Sequence, residues 1–373
     1  MEATNEKYTT IHYHQYLELD QLLSAQVTRS SGVGEEAHDE TLFIIMHQVY
    51  ELWFKQILHE LDWVCDRFRT NRVKAEDMNL IVLRLKRISE ILELMIKQIY
   101  VMETLTPLDF LDFRDLLFPA SGFQSLQFRL VETTLGLRDE DRLTYHGKSY
   151  KIVFTPEQQQ RLNRIEAGGS LFELVERWLE RTPFVHLPEF EFLAAYKQAV
   201  DRMIAREKSN IEATDYLSPK MKEMRLRVLG ANGDYFAHVL DPMEHERLVE
   251  AGEARLNYKA TLGALLINLY RDRPILNQPY NLLTELMNID ELLTTWRYRH
   301  AHMVMRMIGN KIGTGGSSGH EYLVQTAERH KIFTDLHNIS SLLIPRSELP
   351  ELPDEVERQL GFAFSTDGPT GHV

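Results

Sequence analysis

Cysteine is almost absent from this chain of 373 residues. Cys65 is the only one, so no disulfide can form within the chain, and a reducing compartment is favoured; we expect a cytoplasmic protein. Positive charge is also scarce, because 42 Lys and Arg residues stand against 55 Asp and Glu residues, for a formal net charge of −13. This acidic balance disfavours a nucleic-acid partner, whose phosphates require a basic face.

Long apolar runs are missing as well. The most apolar stretch, residues 262–270, is far shorter than the roughly 20 residues that a transmembrane helix needs. The first ten residues are polar and lack the apolar segment of a secretory signal. We therefore expect neither a membrane anchor nor secretion.

Several common catalytic signatures do not occur in the sequence. It contains no pair of cysteines, no His-Glu-x-x-His and no Gly-x-Ser-x-Gly. The glycine-rich segment 313–319 lacks the Gly-Lys-Ser/Thr ending of a phosphate-binding loop, and a predicted helix precedes it instead of a strand. Two interpretations remain open for this segment: a flexible linker, or a loop that orders over a ligand and presents Thr314 to it.

The apolar residues recur at helical spacing and predict an all-α fold, a large helical bundle. A buried helix is expected from Asp39, its N-cap, to Phe68. A second helix carries a heptad-like seam at steps of 4 and 3, formed by Ile81, Leu85, Ile88, Leu92, Met95, Ile99 and Met102. Pro274 and Pro279 are expected to bracket a loop before a long helix over residues 283–308.

The domain organisation follows from these patterns. Residues 1–40 are polar and predict a partly ordered arm, whereas residues 41–350 form one helical domain. Weak periodicity near 209–254 indicates a small helical subdomain inside it. Prolines and acidic residues in 351–373 predict a flexible tail.

Two histidines lie on apolar helix faces. His47 shares one face with Phe43, Tyr50 and Phe54, at steps of 4, 3 and 4. His300 lies within the apolar stripe of the long helix, whereas His302 is rotated from it by about 200°. Two interpretations are open for each of His47 and His300: a histidine packed in the core, or a polar group in a dry pocket. A single imidazole carried by a helix is also the ligand that haem iron requires.

Arg114 and Phe110 are four residues apart and share a helix face. The arginine makes either an exposed ion pair or a bidentate clamp for a carboxylate beside an aromatic platform. Tyr13 and Tyr16 interrupt the polar arm, and packing on the protein surface is the simplest account of them.

Together, six segments resemble the tryptophan 2,3-dioxygenase family of haem dioxygenases, in the family's order and with details nearer its animal members. They are YHQYL from Tyr13, LFIIMHQVYELWFKQ from Leu42, FLDFR from Phe110, PASGFQSLQFR from Pro119, WRYRH from Trp296 and GTGGSSG from Gly313. The resemblance runs from about residue 13 to residue 345. It implies an all-α homotetramer that binds one haem b per subunit. It also implies conversion of L-tryptophan and O2 into N-formyl-L-kynurenine, the first step of tryptophan degradation by the kynurenine pathway.

The resemblance also implies roles for individual residues. His300 matches the axial ligand of the haem iron, and His47 matches the distal histidine that bonds the indole N–H. Arg114 matches the residue that holds the substrate carboxylate, Phe110 packs near the indole, and Thr314 contacts the amino-acid moiety. The indole site is formed by the run Phe43, Ile44, Ile45, Met46 and His47.

Further matches concern the cofactor and a neighbouring subunit. Tyr13 and Tyr16 match tyrosines that reach into the pocket of a neighbouring subunit. Positions near the haem or its propionates are matched by Ser121, Arg129, Trp296 and Tyr322.

The chain departs from the family pattern at a few positions. Met46 stands where animal members usually carry threonine, and Ala301, His302 and Met305 depart from the commoner residues after the proximal histidine. None removes a ligand, although Met46 changes the polarity of the pocket. Alternatives are a haem sensor or carrier without turnover, a helical scaffold without cofactor, and a broader indoleamine dioxygenase. Arg114 and Thr314 favour an enzyme over a carrier.

Overall fold

The computed structural model describes residues 10–70, 72–143, 149–183, 185–187, 190–309, 311 and 319–361. The α-helices of these residues are α1 (Tyr13–Tyr16), α2 (Leu19–Leu23), α3 (Arg29–Val33), α4 (Glu40–Phe68), α5 (Ala75–Met102), α6 (Pro107–Arg114), α7 (Leu126–Leu135), α8 (Pro156–Gly168), α9 (Leu171–Leu179), α10 (Phe192–Ala213), α11 (Pro219–Val239), α12 (Pro242–Glu250), α13 (Tyr258–Leu269), α14 (Pro274–Ile308), α15 (Gly319–Arg329), α16 (Thr334–Asn338) and α17 (Asp354–Leu360).

Short 3-10 helices occupy Asp115–Leu117, Gly122–Gln124, Tyr150–Val153, Ile339–Leu342 and Arg346–Glu348. The strands of the described residues are β1 (His186–Leu187) and β2 (Phe190–Glu191), which pair antiparallel. Two strands of two residues make no central sheet, so the predicted all-α fold is confirmed. No helix in the described part of the chain combines the length and hydrophobicity needed to cross a bilayer.

Helices α5 and α14 pack along each other at the centre of the bundle, and α4 and α15 pack beside them. The predicted seam of α5 is buried along its whole length, from Ile81 to Met102. This outcome is expected of apolar residues spaced at alternating steps of 4 and 3, which form one continuous stripe. Helix α5 begins at Ala75, before Ile81, which is the first residue of the seam.

Helix α4 was predicted closely, although two details differ. Asp39 occupies the N-cap position, but its side chain makes no capping hydrogen bond. The helix is also less buried than its composition suggests, since Ile45 and Leu52 are exposed on its outer face. The first turn is instead fixed by Glu40, whose buried carboxylate accepts the backbone N–H groups of Arg29 and Ser30.

The start of α14 differs from the sequence prediction. No loop separates Pro274 from Pro279, because the helix begins at Pro274 and continues through Pro279 to Ile308. Pro274 is at the first helical position, where its missing N–H costs nothing. Pro279 has no N–H to donate to the carbonyl of Ile275, so the helix loses one backbone hydrogen bond there. The side chain of Ile275 is exposed.

The two terminal regions lie against the bundle. In the arm, α3 is held by Glu40, and the Gln26 amide donates to Gln48 on α4 over 2.7 Å. The predicted flexible tail, 351–373, differs from the structure at α17, because the side chains of Val356 and Leu360 are buried. Residues 362–373 lie outside the described residues. Helices α11 and α12 fall within the predicted subdomain at 209–254.

Candidate functional site

A cavity of about 560 Å³ lies among helices α4, α5, α6, α7, α14 and α15. Its wall is mostly apolar, and a small cluster of buried side chains that includes Met46, Met102 and Phe113 packs around it. A volume of this size is typical of a cavity for a cofactor or substrate. The α5 seam was expected to form core only, but Ile99 and Met102 at its end also line the cavity.

The α4 stripe points into this cavity. Phe43, His47, Tyr50 and Phe54 all line it, because steps of 4, 3 and 4 keep them on one helix face. The rings of Phe43 and His47 have centroids 4.2 Å apart. Met46 lines the same cavity. The helix face that the sequence singled out is thus the face of α4 that lines the cavity.

Ile44 and Ile45 do not line the cavity of this chain. They are rotated about 100° and 200° from Phe43 around the helix, so the implied run of five consecutive pocket residues cannot share one face. Ile45 is 42% exposed on the opposite side of α4. From that run, the cavity of this chain is therefore lined by Phe43, Met46 and His47.

The His47 ring has a defined hydrogen-bond arrangement. Its Nδ1 lies 2.7 Å from the carbonyl oxygen of Phe43, and a carbonyl can only accept, so Nδ1 carries the proton. The lone pair of Nε2 is therefore available as an acceptor. The His47 side chain is open to the cavity, and desolvation by the surrounding protein lowers its pKa. The imidazole is thus a neutral acceptor at the cavity wall.

His300 lines the cavity from α14, one turn beyond Trp296. Its ring stacks on the Trp296 indole, with centroids 5.5 Å apart and an angle of 14° between the planes. Burial, together with the nearby His47, lowers the pKa of His300 to about 4. The imidazole is therefore neutral, which is the form that binds a metal. His302 is exposed and lies next to His320, away from the lining.

Arg114 and Phe110 line the cavity from α6. This helix is started by Thr106, which caps the N–H of Asp109, and by Pro107 at the first position. Phe110 stacks against Phe43, with centroids 5.7 Å apart. Arg114 thus lines the same cavity as Phe110, which agrees with the shared helix face predicted from their i, i+4 spacing.

The predicted contacts of the cofactor also gather at this cavity. Ser121, Arg129, Trp296 and Tyr322 all line it. Ser121 caps the short helix Gly122–Gln124, and the Tyr322 ring packs edge-on against Phe123 at 5.1 Å. The rings of Tyr50, Phe54 and Phe128 lie 5.2–6.2 Å from the Trp296 ring and pack against it.

Sequence reasoning missed a buried charged group, here called the Glu132 cluster: Arg129, Glu132, Arg142, Arg297 and His330. Glu132 accepts hydrogen bonds from Arg129 at 2.9 Å, Arg142 at 2.7 Å and Arg297 at 2.9 Å. Burial alone raises the pKa of the Glu132 carboxyl, but the arginines hold it well below its usual range. One signal was available, because Arg129 and Glu132 are three residues apart on α7 and Arg297 lies one turn before His300.

The remaining predicted residues lie elsewhere. Tyr13 and Tyr16 are 69% and 71% exposed on α1 and do not line the cavity of their own chain. Thr314, with the rest of 312–318, lies outside the described residues.

These features fit a haem. The cavity offers the neutral imidazole of His300 on a mostly apolar wall, and the buried guanidinium groups of Arg129 and Arg297 suit the carboxylates of a haem. Within the described residues, no group of three or more His, Cys, Asp or Glu side chains could hold a metal ion directly. A single histidine is sufficient when a macrocycle provides the other iron ligands.

Comparisons with known proteins agree with this geometry. The family model described as tryptophan 2,3-dioxygenase matches residues 2–343. A tryptophan 2,3-dioxygenase from Bdellovibrio bacteriovorus is 48% identical over 358 residues, which cover 96% of this chain and 100% of that protein. A tryptophan 2,3-dioxygenase from Dictyostelium discoideum is 46% identical, with 95% of this chain and 89% of the relative covered.

A tryptophan 2,3-dioxygenase B from Danio rerio is also 46% identical, with 93% of this chain and 86% of the relative covered. Bacterial and animal relatives thus match to nearly the same extent, and the likeness to the animal branch stays a prediction. The chain belongs to the tryptophan 2,3-dioxygenase family of haem-dependent oxidoreductases.

Proposed function

We propose that the cavity between α4, α6, α7 and α14 binds haem through His300 and L-tryptophan beside it. Family membership over nearly the whole chain gives the reaction: O2 is inserted into the C2–C3 bond of the indole, and the product is N-formylkynurenine. The observation that carries the residue assignments is that His47, Phe110, Arg114 and His300 line one mostly apolar cavity.

His47 positions the substrate in this account. Its Nε2 is the free acceptor, because Nδ1 donates to the Phe43 carbonyl. The indole N–H donates to this lone pair, which fixes the orientation of the ring. Neither nitrogen has to remove the indole proton, so His47 is assigned to hydrogen bonding and orientation.

Arg114 binds the carboxylate of L-tryptophan. A planar guanidinium group gives two parallel hydrogen bonds to a carboxylate and therefore selects an amino acid over a bare indole. The indole packs against Phe43 and Phe110, which stack on each other at 5.7 Å. The apolar wall excludes water around these groups and strengthens their electrostatic interactions.

His300 holds the cofactor. Its neutral imidazole would bind the haem iron, and stacking on Trp296 restricts rotation of the ring. When bound, the haem supplies the redox chemistry with dioxygen that side chains lack. One haem b per subunit is proposed, because one imidazole, that of His300, is assigned to one iron in this cavity.

A homotetramer is proposed on the basis of exposed apolar side chains. They include Leu52 on α4 and Leu83, Leu94 and Tyr100 on α5. Leu83 and Leu94 share one face of α5, because eleven residues make close to three full turns, and an apolar patch on a surface is typical of a protein–protein interface. The exposed Tyr13 and Tyr16 are assigned to the pocket of a neighbouring subunit. The cytoplasm is the proposed compartment, since Cys65 is a free, buried thiol.

The test is turnover by the purified, haem-loaded chain. After L-tryptophan and O2 are added, we expect the absorbance of N-formylkynurenine to rise. A haem sensor or carrier would change its haem spectrum without forming product. D-tryptophan and tryptamine serve as controls for specificity, and equal turnover of tryptamine would contradict the carboxylate role of Arg114.

A further inference from the structure

Methionine side chains from three helices meet on one part of the cavity wall. They are here called the thioether wall: Met46 on α4, Met102 at the end of α5, and Met303 and Met307 on α14. The side chains of Met46, Met102 and Met307 are buried and belong to one apolar cluster, and Met303 packs against that cluster. The four thioether groups therefore lie together and are not scattered around the cavity.

The thioether wall lies at the end of the cavity that is assigned to the substrate. Phe43 and Phe110, which stack on each other, pack against the same apolar cluster. The two methionines of α14 follow His300 by three and seven residues, so they continue its helix face one and two turns further along. Trp296 lies one turn from His300 in the opposite direction. Along α14, His300 thus separates Trp296 from the thioether wall.

The proposed contacts leave one part of L-tryptophan without a partner. His47 accepts the indole N–H and Arg114 binds the carboxylate, so the polar groups at both ends of the recognised edge are held. The six-membered ring of the indole has no polar group and requires an apolar surface. The thioether wall is such a surface, and it adjoins Phe43 and Phe110.

Methionine differs from other apolar residues in how easily it changes shape. Its side chain is unbranched and turns about three bonds, whereas leucine is branched and has fewer rotatable bonds. Binding surfaces rich in methionine can repack and accept ligands of several shapes. Because helices hold the backbone of all four residues, any adjustment of this wall comes from the side chains.

We propose that the thioether wall faces the six-membered ring of the indole and lets the site accept L-tryptophans that carry a small apolar substituent on that ring. The inference rests on the proposed function, because it assumes that L-tryptophan occupies this cavity. Met46 is the specificity-determining residue, since it precedes His47 in the chain and lies one turn from Phe43 on α4. A change of its rotamer makes space for the substituent.

The first test compares 5-methyl- and 6-methyl-L-tryptophan with L-tryptophan as substrates of the haem-loaded chain. One extra carbon in an apolar pocket changes kcat/KM by roughly 10- to 200-fold. An adaptable wall should keep at least one methyl compound within about tenfold of L-tryptophan, at the lower limit of that range. A loss greater than this for both compounds would overturn the inference.

The second test is M46L, because leucine is of similar size to methionine but less able to bend away from a substituent. For the better methyl compound, the ratio of its kcat/KM to that of L-tryptophan should fall about fivefold or more, since the added methyl group then overpacks the cavity. The effect of the methyl group on the reactivity of the indole cancels when this ratio is compared between two chains.

M95L is the matched control. Met95 is fully buried on α5, two turns before Met102, and does not line the cavity. M95L therefore makes the same chemical change in the core and should leave the ratio as it is in the unaltered chain. An equal fall of the ratio in M46L and M95L would contradict a specific role for the thioether wall.

The remaining outcomes separate the inference from the proposed function. A ratio in M46L equal to that of the unaltered chain would overturn the inference, and weaker haem binding with that same ratio would assign the wall to the cofactor. The measurement on the unaltered chain stays decisive if M46L misfolds. Failure to convert L-tryptophan itself would instead contradict the proposed function.

Discussion

The indole of Trp296 and the imidazole of His300 are stacked, with centroids 5.5 Å apart and planes at 14°. The two residues lie one turn apart on α14, and Trp296 is itself packed by aromatic rings from α4 and α7. The direction of the His300 nitrogen is therefore fixed by side chains from three helices. Such preorganisation is what an axial ligand requires to hold a cofactor in one geometry.

Replacing His47 should affect turnover more than cofactor binding. H47A removes the acceptor for the indole N–H and should lower kcat/KM roughly 2- to 10-fold, the value of one hydrogen bond. The Soret band should persist. H59A, at an exposed position of the same helix, is the control and should behave like the unaltered chain. Loss of haem from H47A equal to its loss of activity would show a structural role instead.

Replacing Arg114 should act mainly on KM. R114A leaves the substrate carboxylate without its partner, at a cost of roughly 2–5 kcal/mol. R306A is the control, since the Arg306 side chain is 64% exposed on α14 and does not line the cavity. Steady-state kinetics with L-tryptophan measure both variants. An unchanged KM in R114A would exclude the clamp.

The α5 seam should carry much of the stability. L85A leaves a hole at a fully buried position and should lower the free energy of unfolding by roughly 2–5 kcal/mol. Leu83, two residues away on the same helix, is 53% exposed, so L83A should change stability little. Chemical denaturation of both variants tests this, and similar losses would contradict the burial pattern.

The arm should act on a neighbouring subunit. A chain carrying both Y13A and Y16A has an intact cavity but an altered arm, whereas an R114A chain has an intact arm but an altered cavity. Each variant should be weakly active alone. Mixed oligomers should regain activity, because an intact arm then meets an intact cavity. Activity of the mixture no higher than the mean of the two variants would place the tyrosines outside the active site.

Most of the fold could be predicted from the sequence because its helices are marked by regular apolar spacing. The α5 seam and the α4 face of Phe43 and His47 are examples. The continuation of α14 through Pro279 could not be predicted from the sequence, because tertiary packing outweighs the loss of one backbone hydrogen bond. The predicted run Phe43 to His47 is divided between two sides of α4, because adjacent residues on a helix point in different directions, and Ile44 and Ile45 do not line the cavity of this chain.

Candidate site residues could be predicted from the sequence where a polar side chain interrupts an otherwise apolar helix face. His300 stood out within an apolar stripe, and helical phase separated it from His302. Of the Glu132 cluster, only the Arg129–Glu132 pair on α7 could be found from local spacing. The members of the cluster converge from α7, the following loop, α14 and the end of α15, and no local spacing reveals contacts between residues more than a hundred positions apart.

The central claim is that His300 attaches the haem, and one pair of variants tests it most directly. The Soret absorption of purified H300A is compared with that of H302A, which changes the neighbouring exposed histidine. We expect H300A to lose the band and the activity while keeping its helical circular dichroism spectrum, and H302A to retain both. A Soret band and activity that survive in H300A would contradict the account.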